Sequence, residues 1–427
     1  MESVIHNIRR RWPDADVIAL SMNPEDTTKR QGVSVWPLRS HTWGRGYTAG
    51  EDESGSKRGV FSRWLSSTRN PLVRLPRSMA REIAFVLRSY GLVRTLDQIV
   101  VGGGGQLTAR SGPWGFPYSI FLWMCLARIA GVKRVFLNVG AGPLNEPRVN
   151  FFSLQSVRLA DYVSFRDARS QAMVRSLGFR GESFVFPDNA YGLEAPVPAT
   201  NAVERTRSIV GVAPMPYPFC DPQEVDGDHQ AIYRDTIAKF ARFAASIVSD
   251  SCSVELFGND IGVDPRAIED LWTALREQHG IELAPYRRDT SVGGLLARTA
   301  SLDYVLTCRF HGVVYAHLCN KPVIAVAHHP KVTTIMQELG LSRYCFDIAN
   351  FDPDRLNDAF AAMVADTRNI KASMAEHLSA FRSRLARQYD ELFPPRPQKI
   401  CVPQMLNRTP LEEVIAGGTS DRVRSFQ

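Results

Sequence analysis

A strand-helix-strand pattern in the second half of the chain restricts the fold more than any other stretch. Two short apolar runs, at 304–307 and 323–327, have the length and β-branched content of buried strands. The segment 312–319 between them has the length of a short helix. Because a helix that joins two successive strands is typical of parallel sheets, the pattern predicts an α/β fold.

The residues that follow the first of these strands indicate a site at its carboxyl end. If the chain is still extended there, Arg309 and His311 project to one side and Phe310 to the other. Gly312 lets the backbone turn into the helix, whose first amides attract an anion. Lys331 follows the second strand, so several cationic groups are expected to share one mouth. An isolated arginine or histidine is more often structural, but this combination favours function.

In the first half of the chain, candidate site residues again follow the ends of two predicted strands. Residues 99–101 run into a glycine-rich turn, in which Gly103 and Gly104 are candidates for close contact between a ligand and the backbone. The turn lacks the GxGxxG spacing of dinucleotide sites, and glycine runs also serve as plain tight turns. A second short strand ends at Arg166, and Asp167 is placed to cap the following helix.

These motifs resemble the signature of a known enzyme family. The run Leu-Thr-Cys-Arg-Phe-His-Gly at 306–312, then Lys-Pro-Val-Ile-Ala at 321–325 and Lys331, is similar to that of the polysaccharide pyruvyl transferases. The glycine-rich turn and the Arg-Asp pair extend the resemblance over most of the chain. It implies two Rossmann-like domains with parallel sheets that face each other across a cleft, in a GT-B-like arrangement.

The resemblance also implies an activity. Members of this family transfer pyruvate from phosphoenolpyruvate onto a saccharide as a ketal, so the implied donor is phosphoenolpyruvate and the implied partner is a saccharide acceptor, on a polysaccharide or its lipid-linked precursor. No cofactor or metal is expected. Planar arginine groups and helix amides suit the carboxylate and phosphate of the donor, and an imidazole suits proton transfer near neutral pH. The expected catalytic residues are His311 and Arg309, and the expected donor-binding residues are Arg166, Arg309, Gly312, Lys331, Gly103 and Gly104.

The length of 427 residues is that of two domains. The expected organisation is an N-terminal Rossmann-like domain at 1–191 with a basic insertion at 41–95, a linker at 192–207, a C-terminal Rossmann-like domain at 208–353, helices at 354–393 that pack back on the N-terminal domain, and a loose tail at 394–427. Seven cysteines without CxxC spacing favour reduced thiols, so we expect a cytoplasmic protein.

A basic segment at 54–95 carries most of the positive charge. It contains nine Lys or Arg residues and one acid, a net charge of +8, whereas the whole chain carries +7. Apolar residues such as Phe61, Trp64 and Leu65 lie between the cations. This composition favours peripheral contact with anionic lipid on the inner face of the plasma membrane, although a solvated loop and helix face fits it equally well.

Other chemistries fit the sequence less well. His311 and His317 are six residues apart, which is not the i, i+4 spacing that places two metal ligands on one helix face. The basic segment carries no zinc-finger or RRM signature, so nucleic acid is not an expected partner. Two alternatives stay open: a GT-B glycosyltransferase that uses a nucleotide sugar, and a non-catalytic protein that binds anionic saccharides.

The chain opens with a helix at 2–11, whereas a Rossmann-like domain normally opens with a strand and a glycine-containing turn. The resemblance implies a first strand ahead of Glu2, so that strand is apparently missing. We therefore expect an unfilled slot beside 99–101, and an unstable or inactive polypeptide that about 15 to 25 upstream codons would restore.

Overall fold

The computed structural model describes residues 1–40, 71–196, 207–219, 227–260 and 262–394, with the side chains of 71–78 excepted. Its strands form three parallel sheets. The predicted tail and much of the predicted linker and basic insertion lie outside the described residues.

The first half of the chain builds a two-stranded and a four-stranded sheet. Its elements are α1 (Glu2–Arg11), β1 (Ile18–Ser21), α2 (Pro24–Gln31), β2 (Ser34–Pro37), α3 (Pro71–Val93), β3 (Gln98–Gly102), α4 (Phe116–Ala130), β4 (Lys133–Val139), α5 (Pro147–Arg158), β5 (Tyr162–Phe165), α6 (Ala168–Ser176) and β6 (Phe184–Val185). The larger sheet has the order β3-β4-β5-β6, and β1 pairs with β2. Strand β4 is buried along nearly its whole length because helices cover the sheet.

The second half builds a five-stranded sheet. Its elements are β7 (Ser208–Ala213), α7 (His229–Ile247), β8 (Cys252–Leu256), α8 (Asp264–His279), α9 (Val292–Ser301), β9 (Tyr304–Thr307), α10 (Phe310–Leu318), β10 (Val323–Ala327), α11 (Pro330–Glu338) and β11 (Cys345–Asp347), followed by α12 (Pro353–Ala365) and α13 (Thr367–Leu392). The strand order is β11-β10-β9-β7-β8, so the direction of winding reverses between β9 and β7. In such sheets ligands bind beyond the carboxyl ends of the strands, near that reversal.

Helix α13 returns from the second sheet to the first. Its Gln388 amide donates to Asn138 Oδ1 and to Ser164 Oγ, each at 2.9 Å, and accepts from Asn138 Nδ2 at 2.9 Å. Arg384 donates to the carbonyl of Val185 at 2.8 Å. Gln388 and Asn138 are fully buried, so α13 holds the first sheet through a satisfied polar network.

The expected missing strand would lie at the edge of the four-stranded sheet, beside β3. Among the described residues β3 pairs with β4 on one side, and no described strand pairs with its other side. Strands β1 and β2 form a separate sheet, joined to α4 by a hydrogen bond from Trp123 Nε1 to the carbonyl of Leu38 at 2.7 Å. The unfilled slot beside 99–101 stays a prediction. The effect of upstream codons on stability and activity also stays a prediction.

Candidate active site

A cavity of about 230 Å³ lies between the two larger sheets, at the carboxyl ends of their strands. The loops after β3, β4 and β5 form one wall, and those after β9 and β10 form the other. Its lining residues are Gly104, Gly105, Thr108, Arg110, Ala141, Gly142, Arg166, Asp167, Arg169, Ser170, Phe310, His311, His329, Lys331 and Thr334. Both halves of the chain therefore contribute to one site.

The glycine-rich turn after β3 contributes backbone to the first wall. Gly103 and Gly104 have φ values of +64° and +68°, a conformation that favours glycine. Gly104 lines the cavity together with Gly105, which the sequence analysis did not single out. Gly103 lies behind the wall, where its N–H donates to the carbonyl of Leu137 at 2.9 Å. Of the two predicted glycines of this turn, Gly104 therefore lines the cavity and Gly103 does not.

Arg166 lies where the sequence analysis expected it, at the end of β5 and in the cavity wall. Its side chain is 9% exposed, with Asp167 at 3.4 Å and Asp188 at 3.5 Å. Its guanidinium also lies over the ring of Phe310, 4.7 Å from the centroid, which joins the two walls. The predicted cap is confirmed, because the Asp167 carboxylate accepts from Ser170 N at 2.6 Å.

His311 lies on the second wall, in the first turn of α10, with its side chain exposed to the cavity. Its ring stacks on Tyr315 with centroids 6.0 Å apart. Loss of hydration between the two walls lowers the pKa of His311. The charge of Asp188 raises this pKa, and the nearby cations Arg166 and Lys331 lower it further. The lowered pKa favours the neutral imidazole, which is the form able to accept a proton.

Arg309 and Gly312 do not line this cavity, so the expectation that Arg309 and His311 share one mouth is wrong. Helix α10 begins at Phe310, and the alternation of an extended chain therefore ends before His311. The Arg309 guanidinium instead forms an ion pair with the fully buried Asp264, at 2.5 Å from Nη2 and 3.1 Å from Nε to Oδ1. Gly312 is a packing position, because a Cβ there would lie 2.2 Å from Thr307 Oγ1.

Lys331 lines the cavity from the first turn of α11, as the sequence analysis expected. His329 precedes that helix as its N-cap, and its Nδ1 accepts from the backbone N–H of Lys331 at 3.1 Å. Burial, with Lys331, Arg110 and Arg169 nearby, lowers the pKa of His329 to about 3. His329 is thus a neutral acceptor held in place beside the cations.

The histidines near the motif have separate roles. His317 lies in the contact between the two halves, within hydrogen-bonding distance of Tyr191 Oη (3.1 Å) and the carbonyl of Met374 (2.7 Å). His328 bonds the carbonyl of Cys308 at 3.0 Å. No three His, Cys, Asp or Glu side chains of the described residues form a group suited to a metal ion.

Three basic residues of the cavity lining were not predicted as site residues, namely Arg110, Arg169 and His329. Arg169 lies three residues after Arg166, and that spacing could have marked it as a second cation on the same turn. Arg110 lies in a three-residue 3-10 helix, Ala109–Ser111, where no pattern identifies it. The lining thus contains four cations, Arg110, Arg166, Arg169 and Lys331, and the carboxylate of Asp167. The cavity at the edges of the two parallel sheets therefore has a predominantly cationic lining.

Comparison with known families agrees with this geometry. The profile of the polysaccharide pyruvyl transferase family matches residues 1–330. The chain belongs to the polysaccharide pyruvyl transferase family. It is therefore a transferase, and both walls of the cavity include residues from the matched region. None of the curated proteins matches the sequence.

Solved structures establish the fold of this pyruvyl transferase family member. HepE from Anabaena, in complex with UDP and glucose, is 14% identical, with 92% of this chain and 94% of that chain covered and a TM-score of 0.53. The spinosyn rhamnosyltransferase SpnG is 13% identical, with 92% and 95% covered and a TM-score of 0.50. The predicted GT-B-like arrangement of two Rossmann-like domains is confirmed. No helix of the described residues is long and apolar enough to cross a membrane.

Proposed function

We propose that this protein transfers the pyruvyl group of phosphoenolpyruvate onto two hydroxyls of a saccharide, which forms a ketal and releases phosphate. The observation that carries the proposal is the cavity between the sheets, where four cations and two histidines surround about 230 Å³. That volume lies below the roughly 300–1,000 Å³ of sites for drug-sized ligands. A three-carbon donor is small enough for such a cavity.

The cations divide between the two anionic groups of such a donor. Arg166 is held between Asp188 and Phe310, so its planar guanidinium is pre-oriented and suits the carboxylate or phosphate in a bidentate manner. Lys331 and the first turn of α11 face the same space and suit the departing phosphate. Arg110 and Arg169 add charge on the opposite wall, and Gly104 lets the backbone approach.

His311 is the residue placed to move protons. In the proposed reaction the first sugar hydroxyl attacks C2 of the donor, its proton passes through His311 to the vinyl methylene, and the methylene becomes a methyl group. The second hydroxyl then displaces phosphate, which leaves with the second proton. The proton count closes without an added acid, and no cofactor enters the reaction. A lowered pKa keeps His311 in the neutral form that accepts the first proton.

Phosphate release and ketal formation together test the proposal. The protein is incubated with phosphoenolpyruvate and nitrophenyl glycosides or a lipid-linked acceptor, with His311→Gln as the matched control. We expect inorganic phosphate and a new ketal methyl resonance in equal amounts from the wild type alone. Phosphate without a ketal contradicts the proposal. Transfer from a nucleotide sugar to the same acceptors identifies a glycosyltransferase instead, and saccharide binding without either reaction identifies a binding protein.

We propose that the acceptor is lipid-linked and that α3 contacts the inner face of the membrane. Met79, Ile83 and Leu87 recur every four residues along α3, and each is at least half exposed. Arg81 and Arg88 are exposed on the same helix. An exposed apolar stripe beside cations is typical of helices that lie in a lipid interface.

Vesicle binding tests this contact. We expect pelleting with phosphatidylglycerol vesicles that weakens as salt rises and is absent with phosphatidylcholine vesicles. Leu87→Glu should abolish it, whereas Val364→Glu, at an exposed position on α12, should not. Binding that ignores salt, lipid charge and Leu87 contradicts the proposal.

A further inference from the structure

The expected catalytic role of Arg309 does not fit the surroundings of its side chain. Its guanidinium pairs with Asp264, which is fully buried. The other carboxylate oxygen, Oδ2, accepts from the backbone N–H groups of Asn259 at 3.0 Å and Asp260 at 2.8 Å. Asp264 thus holds the loop after β8 with one oxygen and the turn after β9 with the other.

Thr307 joins the same two loops a second time. Its Oγ1 accepts from the backbone N–H of Arg309 at 3.2 Å and from Asn259 Nδ2 at 2.9 Å. Gly312 packs against this hydroxyl, since a Cβ there would lie 2.2 Å from Thr307 Oγ1. The same Cβ would lie 2.7 Å from Asn259 Nδ2. The start of α10 is therefore seated on Thr307 and Asn259 with no space for movement toward them.

We infer that Arg309 is a positioning residue, and that Arg309, Asp264, Asn259 and Thr307 form a clamp that sets the direction in which α10 presents His311. Phe310 and His311 are among the described residues that line the cavity, whereas none of the four clamp residues is. It acts on the reaction through the imidazole and makes no contact with the donor. This inference rests on the proposed function for its kinetic consequences and on the geometry alone for its structural ones.

Kinetics in two backgrounds distinguish positioning from direct catalysis. Arg309→Lys keeps the charge but not the two-point contact with Asp264. We expect kcat to fall by about 100-fold, the scale of an ångström-size displacement of a reacting group, with the dissociation constant of phosphoenolpyruvate unchanged within about twofold. In the His311→Gln background the same change should have little further effect on kcat. A large loss of phosphoenolpyruvate affinity, or an equal loss of kcat in both backgrounds, overturns the inference.

A milder pair of variants guards against misfolding, because breaking a buried ion pair destabilises strongly. Thr307→Val removes the hydroxyl and keeps the shape, whereas Thr307→Ser keeps the hydroxyl. We expect Thr307→Val to lower kcat and to move the acid limb of the pH profile upward, toward the ordinary pKa of histidine, as the loosened imidazole gains water. Thr307→Ser should restore both. Loss of stability with an unmoved pH limb contradicts the inference.

A third measurement does not depend on the donor. Amide hydrogen exchange of residues 310–313 should quicken in Arg309→Lys, Asp264→Asn and Thr307→Val, and stay unchanged in Arg110→Gln, whose side chain lines the opposite wall. Unchanged exchange in all three clamp variants overturns the inference even if the wild type proves inactive with phosphoenolpyruvate. Quickened exchange in a protein without that activity rejects the proposed function and retains the clamp.

Discussion

The guanidinium of Arg166 lies 4.7 Å from the ring centroid of Phe310, which places a cation of the first sheet's loops on an aromatic ring of the second. The contact is backed by Gly140, where a Cβ would lie 2.7 Å from the guanidinium. The position of the Arg166 guanidinium therefore depends on Gly140 of its own domain and on Phe310 of the other domain.

Gly140→Ala should displace Arg166 and weaken donor binding. A hydrogen bond to a charged group contributes about 1.5–3 kcal/mol, so the dissociation constant of phosphoenolpyruvate should rise about 10- to 100-fold in calorimetric titration. Gly293→Ala is the matched control, since Gly293 lies on α9 outside the cavity lining and a Cβ there meets no atom within 4 Å. Equal affinities in the two variants would remove Arg166 from the donor site.

His311→Gln should lower turnover more than donor affinity. We expect kcat to fall by about 10²- to 10⁴-fold, the usual contribution of a general acid or base. Because its surroundings lower the pKa of His311, wild-type activity should persist below pH 6.5 before it declines. A rate profile measured from pH 4 to 8 checks this. A profile whose acid limb is unchanged in the variant would assign the proton transfer to another group.

His317 should make the protein sensitive to acid. Burial lowers the pKa of this fully buried imidazole to about 4, below the unfolded value of about 6.5. The unfolded chain therefore binds the proton first as pH falls. The free energy of unfolding should decrease by about 2 kcal/mol between pH 7 and pH 5 through this group.

Urea unfolding at the two pH values measures that change. The decrease should be smaller by about that amount in His317→Gln, whereas His6→Gln, at an exposed position of α1, should keep the wild-type dependence. The same pH dependence in His317→Gln and the wild type would show that other groups cause it.

Gln388→Leu should destabilise the contact between α13 and the first sheet. The change leaves the buried amide of Asn138 and the hydroxyl of Ser164 without their partner on α13. We expect a loss of about 2–3 kcal/mol in chemical denaturation. Arg387→Ala, at the exposed neighbouring position, should stay within about 0.5 kcal/mol. A cost for Gln388→Leu no larger than that of the control would show that the network adds no stability.

Much of the cavity could be predicted from the sequence because topology alone brings it together. Parallel strands end at the same edge of a sheet, so the turns after β3, β5, β9 and β10 had to lie at the cleft once the alternation was recognised. Local signals also sufficed for the Asp167 cap, which needs only a helix that begins at the next residue. Arg166, His311 and Lys331 were located in this way.

The roles of individual cations could not be predicted in the same way. The sequence around Arg309 predicts a catalytic residue. The structure instead pairs its guanidinium with Asp264, 45 positions earlier in the chain. Arg110 has no pattern around it and reaches the cavity because its loop is held to the segment after β4, where the N–H of Ala109 donates to the carbonyl of Pro143 at 2.9 Å. The sequence by itself determined which strand ends meet, since period and connection order set the topology. Only the tertiary structure decided which charges face the cavity, because ion pairing depends on side chains brought together by packing between distant loops.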